Sequence, residues 1–131
     1  MSGAAAQAPS GLRLSGQWFR FIMPSLPAAG YFTLQNSSAE PQRLTGAASP
    51  ACGMLMLHKS IHQNGTERMV MVPSVAVPAH GSLRFAPGGY HLMCTQPTAL
   101  MRRGKMVSVT LKFAGGTSLT APFPVRNATG K

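Results

Sequence analysis

The metal-binding donor atoms of this sequence gather in its middle. All four histidines, His58, His62, His80 and His91, fall between Met54 and Met93, and so do Met54, Met56, Met69, Met71 and Met93, five of the nine methionines. A thioether is a soft donor suited to Cu(I), and imidazole serves copper and zinc alike. In a chain with only two carboxylates, a mixed His and Met set favours Cu(I) over Zn(II), Fe(II) or Mg(II).

The spacing is that of strands. In "GGYHLMC", Gly88 to Cys94, His91 and Met93 stand two apart, so a strand presents both on one face and Tyr90, Leu92 and Cys94 on the other. "CGMLMLHKSIH" reads as a long strand with Met54, Met56, His58, Ser60 and His62 on one side and Leu55, Leu57 and Ile61 on the other. Asn64-Gly65 is the strongest short hairpin signal available. "RMVMV" then returns with Met69 and Met71 on one face. His58 and Met69 thus belong to two strands of one hairpin, and His91 and Met93 can chelate from a single face of another strand.

The elements that must hold these residues are short and numerous. Gly 14 and Pro 11 punctuate the chain, and no stretch keeps a helical period. "GLRLSG", "WFRFIM", "GYFTLQN" and the two halves of "VAVPAHGSLRF" read as strands. "KMVSVTLKFAGG" is the cleanest, with Val107, Val109, Leu111 and Phe113 inward. "SLTAPFPV" is expected at a sheet edge, because its prolines cannot donate ladder hydrogen bonds. Together they predict an all-β fold, an antiparallel Greek-key β-sandwich of about nine strands in a single domain. The expected organisation is a flexible N-terminal tail over residues 1–10, the sandwich over 11–126 and a C-terminal tail over 127–131. No run approaches the roughly 18 apolar residues of a membrane span.

Twelve Lys and Arg face only Glu40 and Glu67, giving a net charge of +10. Such a surface is drawn to an acidic protein or an anionic membrane. The cations are scattered apart from Arg102, Arg103 and Lys105, with no RNA-binding signature or basic helix, so specific nucleic-acid binding is not expected. Two carboxylates far apart argue against a paired-carboxylate hydrolase and against a calcium or magnesium site of carboxylate oxygens. No nucleophile, base and orienting acid can be assembled, and no enzyme is expected. "MSGAAAQAP" lacks the hydrophobic core of a signal peptide. It reads either as an Ala-rich disordered start or, because Ala6-Gln7-Ala8 has the small-x-small form of a cleavage site, as the tail of a removed signal.

His58, Met69, His91 and Met93 spell H-x10-M-x21-H-x-M without a gap. With the flanking text "LHKSIHQNGTERMVMV", "FAPGGYHLM", "AAGYFTLQNSS" and "RLTGAASPACGMLMLH", this resembles the PCuAC-type periplasmic copper chaperones over roughly residues 12 to 125. The resemblance implies a cupredoxin-like sandwich with a Cu(I) site whose ligands are His58, Met69, His91 and Met93. It also implies a periplasmic location, and a copper-receiving partner that is the CuA-bearing subunit of cytochrome c oxidase. Both histidines must be neutral to bind, so affinity should weaken below pH about 6.5.

His62 and Met71 share faces with His58 and Met69 and are candidate auxiliary metal ligands. Met54 and Met56 are expected to pack, and His80 to lie solvated in a turn. Asn127-Ala128-Thr129 matches a glycosylation acceptor, read as chance. Cys52 and Cys94 are expected to form a disulfide in an oxidising compartment, the alternatives being buried thiols or a Cys94 thiol that competes for the metal. Two other functions stay open. One is a copper-independent interaction module using the Met face. The other is an electron-transfer cupredoxin, which needs a Cys thiolate with two His and a weak Met, although no His follows Cys94.

Overall fold

A computed structural model describes residues 8–131. Residues 1–7, with most of the expected N-terminal tail and of the Ala6-Gln7-Ala8 site, lie outside the described residues. The strands are β1 (Leu12–Arg20), β2 (Ala28–Asn36), β3 (Gln42–Ala48), β4 (Cys52–Gln63), β5 (Thr66–Met71), β6 (Val75–Val77), β7 (Gly81–Phe85), β8 (Tyr90–Pro97), β9 (Met106–Phe113) and β10 (Ser118–Arg126). They are the runs that alternate in sequence. β9 is buried at Val107, Val109, Leu111 and Phe113 and open between them, as its period demands.

The ladder runs β5-β4-β8-β2-β1-β10-β9-β3-β6, with β7 paired to β2. One layer holds β5, β4, β8, β2, β1 and β7, and the other holds β10, β9, β3 and β6; they join where β1 meets β10. Side chains from both layers interleave in the core: Phe123 of β10 lies 5.6 Å from Phe19 and 6.2 Å from Phe32, ring centre to ring centre. The expected all-β sandwich is therefore present, with ten strands.

Two details differ from the sequence reading. The β1–β10 junction is parallel, at Phe19↔Val125 and Arg20↔Arg126, whereas every other pairing is antiparallel. β10 is also not a terminal strand. Its prolines are still respected: Pro122 and Pro124 pair with β9 on one side, and β10 meets β1 only beyond them. A proline needs only one edge left without donors, and the junction is displaced past it.

Local hydrogen bonds close turns near both ends of the described residues. Pro9 is buried and its carbonyl accepts the Leu12 N–H. At the other end Asn127 Oδ1 accepts the N–H of Thr129 and of Lys131, closing a turn over 127–131.

Candidate metal centre

The hairpin explains much of the site. Asn64 and Gly65 both have positive φ, 52° and 75°, the pattern of a type I′ turn. A two-residue loop pins Gln63 opposite Thr66, and the ladder then carries the register back: His62 faces Glu67, Ser60 faces Met69 and His58 faces Met71. On its other edge β4 pairs with β8, setting His58 opposite His91, Met56 opposite Met93 and Met54 opposite Thr95. Opposed residues share a sheet face, so one surface gathers both imidazoles and the thioethers. The turn before β8 supplies the aim. Gly88 adopts φ 84°, which L side chains avoid, and Ser60 N–H donates to Gly89 C=O at 3.1 Å, locking β4 to the turn.

The two imidazoles are 5.7 Å apart, centroid to centroid, and inclined by 59°. At the roughly 2.0 Å of a metal–imidazole bond, one ion can touch both. His91 is only 3% exposed, and its Nδ1 lies 3.3 Å from the Gly89 carbonyl. A neutral ring with its proton on Nδ1 donates there and turns an Nε2 lone pair outward, the arrangement that orients metal-binding histidines. His91 Nε2 and His58 Nδ1 are both buried without a hydrogen-bond partner. Buried polar atoms are nearly always paired. Two such orphans lie on adjacent strands, and each offers a lone pair to a Lewis acid in the tautomer that carries its proton on the other ring nitrogen.

Met93 is buried beside His91, whereas Met69 and Met71 are 51% and 66% exposed. The face is thus closed on the β8 side and open on the β5 side. Among the described residues no group of three or more His, Cys, Asp or Glu comes together. An ion held between His58 and His91 must take its further donors from thioethers, a set that suits Cu(I).

The structure brings His58, His91 and Met93 together and sorts the remaining candidates. Met69 stands diagonally from His58, over Ser60, while Met71 faces His58 directly. Opposed Cβ atoms are about 4.5–5.5 Å apart and diagonal ones about 7–8 Å, both within reach of a methionine. His62 is not gathered: it faces Glu67 and lies four residues along the strand from His58, roughly 13 Å. His80 sits at φ 52° in the β6–β7 turn. Met54 and Met56 are not core residues; Met54 is 57% exposed, and Met56 lies opposite Met93 as a further thioether of the same surface. The direct position of Met71 had a signal in the sequence, because the Asn64-Gly65 turn dictates it by counting. Met56 had none, since the β4–β8 register joins distant segments.

Cys52 and Cys94 form the expected disulfide, with Cα atoms 5.4 Å apart, and no free cysteine exists among the described residues. Cys94 therefore offers no thiolate. This corrects the reading in which it competes for the metal, and it removes the sulfur that an electron-transfer cupredoxin requires.

Burial lowers the pKa of both His58 and His91 below the ordinary histidine value. At His91 the bond to Gly89 works the other way, the positive charges of His58 and Arg20 lower it further, and Glu67 raises it. In the unfolded chain these rings protonate near pH 6.5. Just below that pH the folded state binds fewer protons than the unfolded one, so stability is lost as pH falls. The metal-free protein should melt lower at pH 5 than at pH 7, and His91→Gln should shrink that difference. Equal pH sensitivity in both proteins would contradict this.

A family model described as "Putative lipoprotein LpqE-like" matches residues 12–125. The chain is 32% identical to "Putative lipoprotein Lxx21020" of Leifsonia xyli subsp. xyli, over 97% of this chain and 79% of that protein. It is similar to the solution structure of Cu(I)-DR1885 from Deinococcus radiodurans, with 32% identity, a TM-score of 0.73, and coverage of 95% of this chain and 84% of that one. The copper-bound PCuAC domain from PmoF2 shares the fold, with a TM-score of 0.74 and 20% identity over 95% of this chain and 99% of that domain.

Proposed function

We propose that this chain, which belongs to the LpqE-like family, the PCuAC family, is a Cu(I) carrier that holds one ion between His58, His91, Met93 and Met69 and passes it to a receiving protein. One observation carries the reading: His58 and His91 face each other across β4 and β8, each with a buried, unpartnered ring nitrogen, on a surface whose other donors are thioethers. The copper-bound state of the DR1885 relative supports it.

The site suits carriage rather than storage. All four ligands are neutral, and the exposed Met69 and Met71 can be displaced without opening the core. The ion would leave from the β5 side, by stepwise replacement of an exposed thioether with a donor of the recipient. We assign as recipient the CuA-bearing subunit of cytochrome c oxidase, and as location the oxidising cell envelope. The lipoprotein descriptions of the family and of the Leifsonia relative, with the disulfide, support an exported protein.

The test is an anaerobic Cu(I) titration against a coloured competing chelator, expected to give one ion per chain; no competition for Cu(I) would overturn the reading. Transfer to an isolated CuA domain, followed by its visible absorption, tests the recipient. Because Met71 faces His58 directly, Met69→Ala alone should weaken binding only about tenfold, and adding Met71→Ala should weaken it by at least another tenfold. If the double variant binds like Met69→Ala, Met71 takes no part.

A further inference from the structure

One end of the sandwich differs from the rest of its surface. The loop over 21–27, between β1 and β2, and the loop over 98–105, between β8 and β9, lie side by side there and line a common hollow through Phe21, Pro24, Ala99 and Arg102. Both are pinned to β10, by Phe21 N–H donating to Arg126 C=O at 2.9 Å and Gly104 N–H to Val125 C=O at 3.0 Å. Met101, 2% exposed, plugs the second loop into the core. On this ordered platform Ile22, Met23, Leu26, Leu100 and Met106 are between 43% and 66% exposed. Arg102, Arg103 and Lys105 stand exposed among them.

Neither acidic residue is near. Glu40 follows the far end of β2, and Glu67 lies beyond the β4–β5 hairpin turn, at the end of β4 away from Cys52. A cluster of large exposed apolar side chains marks an interaction site. Apolar tips on protruding loops, mixed with cations and free of acids, match a lipid interface, where the tips enter the headgroup–acyl boundary and the cations meet phosphate. An acidic protein surface would pair with the cations alone, whereas a membrane offers phosphate to the cations and acyl chains to the exposed apolar side chains.

We propose that this end docks on an anionic membrane surface, with Arg102, Arg103 and Lys105 against lipid phosphates and Ile22, Met23, Leu26 and Leu100 at the acyl boundary. The proposed contact is peripheral, made by exposed loop side chains; among the described residues no helix is long and apolar enough to cross a membrane. Met93 lies four residues before Pro97, roughly 13 Å up the sheet from the platform. Docking by the end therefore leaves the His/Met face open to a partner at the same membrane.

The test is co-sedimentation of the full chain with vesicles of pure phosphatidylcholine, and with vesicles holding about one-third phosphatidylglycerol. Binding is expected only to the anionic vesicles and should fall as salt rises. Each cation contributes about 1 kcal/mol, or about fivefold, so Arg102→Ala/Arg103→Ala/Lys105→Ala should weaken partitioning about a hundredfold. Ile22→Ser/Leu100→Ser should weaken it further at high salt. These side chains are exposed, so unchanged melting temperatures will show that the variants fold. No binding to anionic vesicles, or equal binding by the triple variant, overturns the proposal. Binding to polyglutamate as strong as to the vesicles, and insensitive to Ile22→Ser/Leu100→Ser, would assign the surface to an acidic protein instead.

Discussion

His91→Ala should lower Cu(I) affinity by at least about a hundredfold while leaving the protein folded. Loss of a group that merely orients a metal ligand costs about 10- to 100-fold, and His91 is proposed as a ligand itself. Its imidazole is the most enclosed nitrogen donor of the face, facing His58 on one side and two residues from Met93 on its own strand. The fold should survive, because His91 lies outside the hydrophobic core cluster and loses only the Nδ1 hydrogen bond to the Gly89 carbonyl, worth about 1 kcal/mol. Chelator competition and a thermal melt on the same variant separate the two effects. Retained affinity in His91→Ala would exclude the His58/His91 face as the copper site. Lost affinity together with a collapsed melting transition would point to structure instead.

Breaking the Cys52–Cys94 disulfide should cost about 4 kcal/mol of stability and leave copper binding unchanged. The bridge spans 42 residues of sequence, and closing a loop of that length in the unfolded chain corresponds to about 4 kcal/mol at 25 °C. For a chain of this size the melting temperature should fall by about 15 °C. The bridge joins the first residue of β4 to β8, the same two strands that oppose His58 and His91. Its effect on copper is therefore indirect, through folding alone. A Cys52→Ser/Cys94→Ser protein, studied cold enough to remain folded by circular dichroism, should bind Cu(I) as the parent does. Weak binding by that folded variant would mean that the bridge also tensions the metal face.

The alternation of apolar and polar residues settled which side chains share a face, because the strand backbone itself sends successive side chains to opposite sides. That local rule put Met54, Met56, His58 and His62 together, Met69 with Met71, and His91 with Met93, and it named the inward residues of β9. The β4–β5 register was also legible, since a two-residue Asn64-Gly65 turn leaves no freedom in pairing: it places Met71, not Met69, directly across from His58. Tertiary structure alone decided the pairing of β4 with β8, and with it the opposition of His58 and His91 and the appearance of Met56 beside Met93. It also decided that β10 lies inside the ladder, that the two cysteines meet, and that the apolar 21–27 loop joins Arg102, Arg103 and Lys105 at one end. These contacts join segments far apart in the chain. Their register is set by how the whole core packs, around Phe19, Phe32 and Phe123, and no local stereochemical rule carries that information.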